Sequence, residues 1–165
     1  MIYEQTNLLK FITDNMAEYK AWLIAQYAAQ SITVTIPALQ YTGIYDTLDC
    51  QMPALSVLDG GKDPMSTNRG NAIANRDGNY EIYIISREID QQEAEKTILL
   101  YGEILEQMFI DVYNGFKTVK DLRNVRLGSW TPFEIAVQRK SGTVDTYKAG
   151  RQIVTAQTNI FPRRA

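Results

Sequence analysis

Between Asn7 and Ala29 the apolar positions Leu9, Ile12, Met16, Tyr19, Leu23 and Tyr27 recur at steps of three or four. That period predicts an amphipathic helix, with Thr6 or Asn7 as its N-cap. Lys10, Asp14, Glu18 and Gln26 fall largely outside the stripe, whereas Phe11, Trp22 and Ile24 widen the apolar surface beyond a single seam. A helix that is apolar on more than one side is packed on both sides or offers one to a partner, which makes Trp22 a candidate interface residue. The period then changes to two. Ser31 to Pro37 alternates and predicts a short strand ending at proline. Residues 38–50 read as irregular, with Gly43 as a break, and Met52 to Leu58 as an apolar strand stopped by Asp59-Gly60-Gly61.

Residues 59–79 are dense in Gly, Asn, Asp, Ser and Pro, which predicts a long loop. Strands on both sides make it an extended hairpin arm or flap. Lys62, Arg69 and Arg76 make it locally basic and a candidate contact surface. Tyr80 to Ser86 is rich in aromatic and β-branched residues and predicts a strand. Asp90-Gln91-Gln92-Glu93 resembles a capping box opening a second helix. Its core stripe is Ala94, Ile98, Tyr101, Leu105, Met108 and Val112, and Asn114-Gly115 suits a left-handed cap at its end. The last third reads as β: Arg123 to Gly128, then Phe133 to Val137, a turn at Ser141-Gly142, Thr143 to Ala149, and Arg151 to Asn159. A basic tail, residues 161–165, follows.

This order does not alternate as βαβ units do. It predicts one α+β domain over residues 1–165: an antiparallel or mixed sheet of about four to six strands, with two main helices packed on one face. A length of 165 residues suits a single domain with a sizeable core.

Composition narrows the chemistry. The chain has no histidine and one cysteine, Cys50. The commonest general base and metal ligand is therefore missing, and the usual zinc sites and Ser-His-Asp or Cys-His arrangements cannot be built. A lone cysteine reads as a reduced thiol folding in a cytoplasm. The N-terminus has no basic segment leading into an apolar one, so no signal peptide is expected. A net charge of −2 gives no general basic excess for nucleic acid. Gly60-Gly61-Lys62 lacks the spacing of a phosphate-binding loop, and Asp77, Asn79 and Glu81 lack that of a calcium loop. Glu93, Glu95, Glu103 and Glu106 read as a solvated helix face. Trp130, Phe133 and Tyr147, beside Arg126, Arg139 and Arg151, fit alternating strand faces or a stacking surface, and Trp130 joins the interface candidates. No catalytic, metal or cofactor residue is expected. Ten tyrosines and two tryptophans suit a protein that works through interfaces.

In its order of elements the chain resembles the tail-terminator or tail-completion proteins of long-tailed bacteriophages. The resemblance rests on the long N-terminal helix, the strand Met52-Pro53-Ala54-Leu55-Ser56-Val57 after an irregular stretch, and a long loop. The strand Tyr80 to Ser86, the helix Gln91 to Asn114 and the terminal strand Gln152-Ile153-Val154-Thr155-Ala156-Gln157 complete it. It implies a structural virion protein without enzymatic activity or cofactor. Its copies would form a ring, usually a hexamer, which closes the tail tube and joins it to a head-completion or neck protein. Double-stranded DNA would pass through the lumen without sequence-specific binding. The place of action would be the virion, with assembly in the host cytoplasm. Another neck connector, such as a head-completion or stopper protein, fits nearly as well. A small adaptor or an enzyme with an unrecognised site is the alternative outside phage assembly.

Overall fold

The computed structural model describes residues 2–43, 53–62, 66–67, 74–87 and 90–160. Helix α1 spans Ile2–Ala29. It begins earlier than the pattern of apolar residues suggests, because Gln5 and Leu8 are buried and carry its packing toward the N-terminus. Thr6 and Asn7 consequently lie inside the helix rather than at its cap.

Ser31 closes α1. It takes a positive φ of 61°, its N–H donates to the Ala28 carbonyl, and the Ile32 N–H reaches back to Tyr27. This is the reciprocal bonding of a Schellman cap, in which the left-handed position is usually glycine. The strand expected at 31–37 is therefore not formed. Its alternation survives, with Val34 and Ile36 buried, as does Leu39 beyond them. The segment is nevertheless an unpaired strap, since its apolar side is satisfied by the core and not by a neighbouring strand. Its Pro37 carbonyl accepts hydrogen bonds from the Tyr101 hydroxyl and from Lys20 Nζ.

Part of the stretch expected to be irregular is a strand: β1, Gln40–Gly43, pairs in parallel with β2, Ala54–Lys62. Nor does Asp59-Gly60-Gly61 stop β2, which absorbs it as a bulge opposite β4, Ala74–Ser86. Gly61, at φ 104°, supplies the backbone conformation that the bulge needs. A two-residue strand β3, Ser66–Thr67, pairs with the start of β4. Much of the expected loop is thus β-structure, a hairpin arm. Arg69 and Cys50 lie outside the described residues, as does the tail 161–165.

Helix α2 spans Gln91–Tyr113 and keeps its expected ends. The Asp90 side chain accepts from the Gln92 N–H, and Gly115 follows the Asn114 cap with φ 81°. The strand segments of the last third merge into two long strands, β5, Arg123–Gln138, and β6, Val144–Ile160. Pro132 does not break β5, because β5 is an edge strand and need not donate on its outer side.

The sheet order is β1-β2-β4-β6-β5, antiparallel throughout except for the parallel β1–β2 pair. Both helices pack on one face, burying Leu8, Ile12, Tyr101, Leu105 and Phe109 against Leu55, Val57, Ile82, Ile84 and Val154. The fold class is α+β, as the order of elements predicts. A smaller apolar cluster of Ile85, Tyr147 and Ala149, with Phe133, Ile135 and Val137, forms separately from that core.

Candidate functional site

The candidate residues do not converge on one place. Lys62 ends β2 opposite Gly78, and Arg76 sits near the start of β4 opposite Thr158, so both belong to the arm. Trp22 lies on α1, partly buried against the core. Trp130 lies on β5, with its indole between helix and sheet. A Cβ placed on Gly102 of α2 would come 2.6 Å from it, and one on Gly150 of β6 would come 2.1 Å from it. Its Nε1 is buried without a partner among the described residues. The large apolar plate is thus used inside the protein, where it joins α2 to the β5–β6 hairpin.

Beside it, buried Gln152 donates to the carbonyls of Gly128 and Ile153, both at 2.9 Å. These bonds occupy backbone acceptors where the register of β5 shifts between Leu127 and Trp130. A bulge so held turns the edge strand without leaving buried carbonyls unpaired.

The arm extends the sheet beyond its hydrophobic core. Among the described residues, the last buried apolar ones toward the arm are Val57 on β2, Tyr80 on β4 and Ala156 on β6. Beyond them β4 still pairs with β6 as far as Ala74–Ile160, and β3 adds to its other side. The arm is therefore a multistranded extension of the sheet, joined by backbone ladders. Among the described residues, the path of strands ends at β1 and β5, which differ in length and in pairing sense, while β3 lies off that path beside β4.

Among the described residues, and besides Ile24 and Val144, two groups of exposed apolar side chains lie on or beside α2. Ile32, at 46 % exposure, and Leu99, at 47 %, border a groove of about 410 Å³ between the end of α1 and the first half of α2. Tyr27 lines it, and its hydroxyl donates to Glu103 at 2.9 Å, which raises the phenol pKa. At the far end of α2, Tyr113 is 72 % exposed and Phe116 is 77 % exposed. Neither feature follows from periodicity alone. Leu99 merely falls outside the buried stripe, and Phe116 sits in a polar turn just past a helix cap, which is the available sequence signal for both.

The polar groups near the helices serve packing. Tyr19 donates to Asp111 at 2.5 Å, and burial first, then that carboxylate, raises its pKa. Lys20 is lowered by burial. Among the described residues no group of three Cys, Asp or Glu side chains is placed to hold a metal ion, and no helix is long and apolar enough to cross a membrane. No family model matches the chain. No curated protein matches it significantly either.

Proposed function

We propose that this protein is a structural ring component at the head–tail junction of a long-tailed bacteriophage, closing the tail tube and joining it to a neck protein. The observation that carries the reading is the arm. Its strands keep pairing beyond the last buried apolar residues described in the sheet, and they offer ladder groups to a neighbour. The two unlike sheet edges support the same reading. Head-to-tail association uses two different patches per copy, and it closes into a ring when the rotation allows. Double-stranded DNA passes through the lumen without tight binding, in keeping with a net charge of −2.

Light scattering and negative-stain imaging of the purified protein, alone and mixed with tail tubes lacking their terminator, test this. A closed ring of several copies is expected. A single-copy mass under both conditions overturns the proposal.

The arm has its own test. Deleting residues 62–76 leaves Asp77-Gly78 between Gly61 and Asn79, which already pair. Asp-Gly is a favoured two-residue hairpin loop, so the shortened hairpin can close. Because the sheet residues known to be buried among the described residues are all retained, the variant is expected to keep a cooperative unfolding transition while losing ring formation or tail joining. Assembly at the parental level would remove the arm from the mechanism.

A further inference from the structure

The two exposed apolar features carry opposite charge. Glu95 and Glu103 rim the groove at Ile32 and Leu99, with Lys96 as the one cation lining it among the described residues. The Tyr113–Phe116 projection lies beside a concavity lined by Lys117, Arg123 and Arg126. Lys117 is paired with Glu18, whereas Arg123 and Arg126 are exposed. Leu99 and Tyr113 are 14 residues apart on one helix, which places them about 21 Å apart along its axis. One copy therefore cannot bring its own projection to its own groove.

We propose that Phe116 and Tyr113 of one copy insert into the Ile32–Leu99 groove of the next, with Arg123 and Arg126 facing Glu95 and Glu103. The occupant is a second copy of this chain, because the same surface carries both the acid-rimmed groove and the base-flanked aromatic projection that complements it. Aromatic side chains entering an apolar pocket, ringed by complementary charge, have the anatomy of an association hot spot.

The arrangement is head-to-tail and not two-fold. Leu99, Glu103, Glu106, Ile110 and Tyr113 follow one another at steps of three and four along one side of α2. A two-fold antiparallel pairing that set Leu99 against Tyr113 of a second copy would centre on Glu106 and oppose it to its own mate. Like charges opposed in this way disfavour the closed dimer. Repeated head-to-tail contact leaves one groove and one projection open until a ring closes.

This inference rests on the ring reading and specifies its interface. The test uses full-length protein carrying Cys50→Ser, with Leu99→Cys and Phe116→Cys introduced singly and together, and a short bismaleimide crosslinker. The double variant is expected to give a ladder beyond the dimer on a denaturing gel, and each single variant to remain uncrosslinked. A separate Phe116→Asp variant is expected to lower the multimer fraction about tenfold or more, with an unchanged denaturation midpoint. A product that stops at the dimer overturns the head-to-tail geometry. Absence of crosslinking while light scattering reports a ring overturns this interface and leaves the ring reading standing. Absence of crosslinking together with a single-copy mass, alone and with tail tubes, overturns both.

Discussion

At the scale of single residues, Trp130 shows how little side-chain identity says about the use a side chain is put to. Its indole fills a slot whose walls are two glycines, Gly102 on the helix and Gly150 on the sheet. The slot exists only because both lack a side chain. Gly150→Ala should destabilise the protein by about 1–3 kcal/mol, since the added methyl overlaps the ring. The cost should fall below about 0.5 kcal/mol in a Trp130→Leu background, where the ring is gone. Urea denaturation of the four proteins in this cycle measures the coupling. An equal cost in both backgrounds would mean that the alanine acts through the backbone of β6 and not through the indole. Trp22, partly buried against the core like Trp130, lies on α1.

At the scale of elements, the ends of the two helices follow different physics. The ends of α2 are local: Asp90 caps its own helix, and Gly115 takes the positive φ expected of a residue in that place. The ends of α1 are set by packing. Burial of Gln5 and Leu8 carries its start beyond the expected cap, and Ser31 accepts a left-handed conformation so that the strap can turn onto the core. That conformation is costly for a residue with a Cβ and free of steric cost for glycine. Ser31→Gly should therefore stabilise the protein by about 0.5–1 kcal/mol, seen as a higher midpoint in chemical denaturation. A lower midpoint would show that the serine side chain contributes more than its backbone strain costs.

At the scale of the whole molecule, buried tyrosines link stability to alkaline pH. Tyr19 and Tyr80 have raised pKa values, in both cases chiefly because burial disfavours the phenolate. A folded-state pKa above the unfolded value of about 10 means that the unfolded chain loses its proton first. The contribution is complete below about pH 10 and is lost as pH rises through the folded values. Lys20, whose pKa is lowered by burial, works in the opposite direction, since its desolvation penalty is relieved as it loses its proton. With two strongly shifted tyrosines against one lysine, stability should be flat near neutral pH and fall above about pH 10. Tyr19→Phe should make that fall shallower. It should also cost about 1–3 kcal/mol at neutral pH by removing the donor to one oxygen of Asp111, whose other oxygen accepts from Gln107. Denaturation midpoints across pH 7–11 for both proteins decide it, and parallel curves would exclude Tyr19 as a source of the slope.

The same division between local and distant causes explains what was legible in the chain. Apolar period identified both helices, the strands carrying Leu55, Ile82 and Val154, and hence an α+β domain, because those elements bury one face whatever their neighbours are. Turn residues marked the arm but hid its pairing. Ladder bonds depend on which strand lies alongside, and neither Gly61 nor Asn79 carries that information alone. The alternation at 31–37 misled for the converse reason: period two records which side chains are buried, not whether a strand is there to accept their backbone bonds. Exposure of Leu99 and Phe116 is a remainder left after all other packing is complete, so only the tertiary structure left one open in the first half of α2 and the other just past its C-terminus, with opposite charge around them. The sequence by itself determined both helices, the strands around Leu55, Ile82 and Val154, and the core they bury, through short-range periodicity. The tertiary structure decided the register of the arm, the enclosure of Trp130 and the surface left over for partners, because each depends on residues distant in the chain.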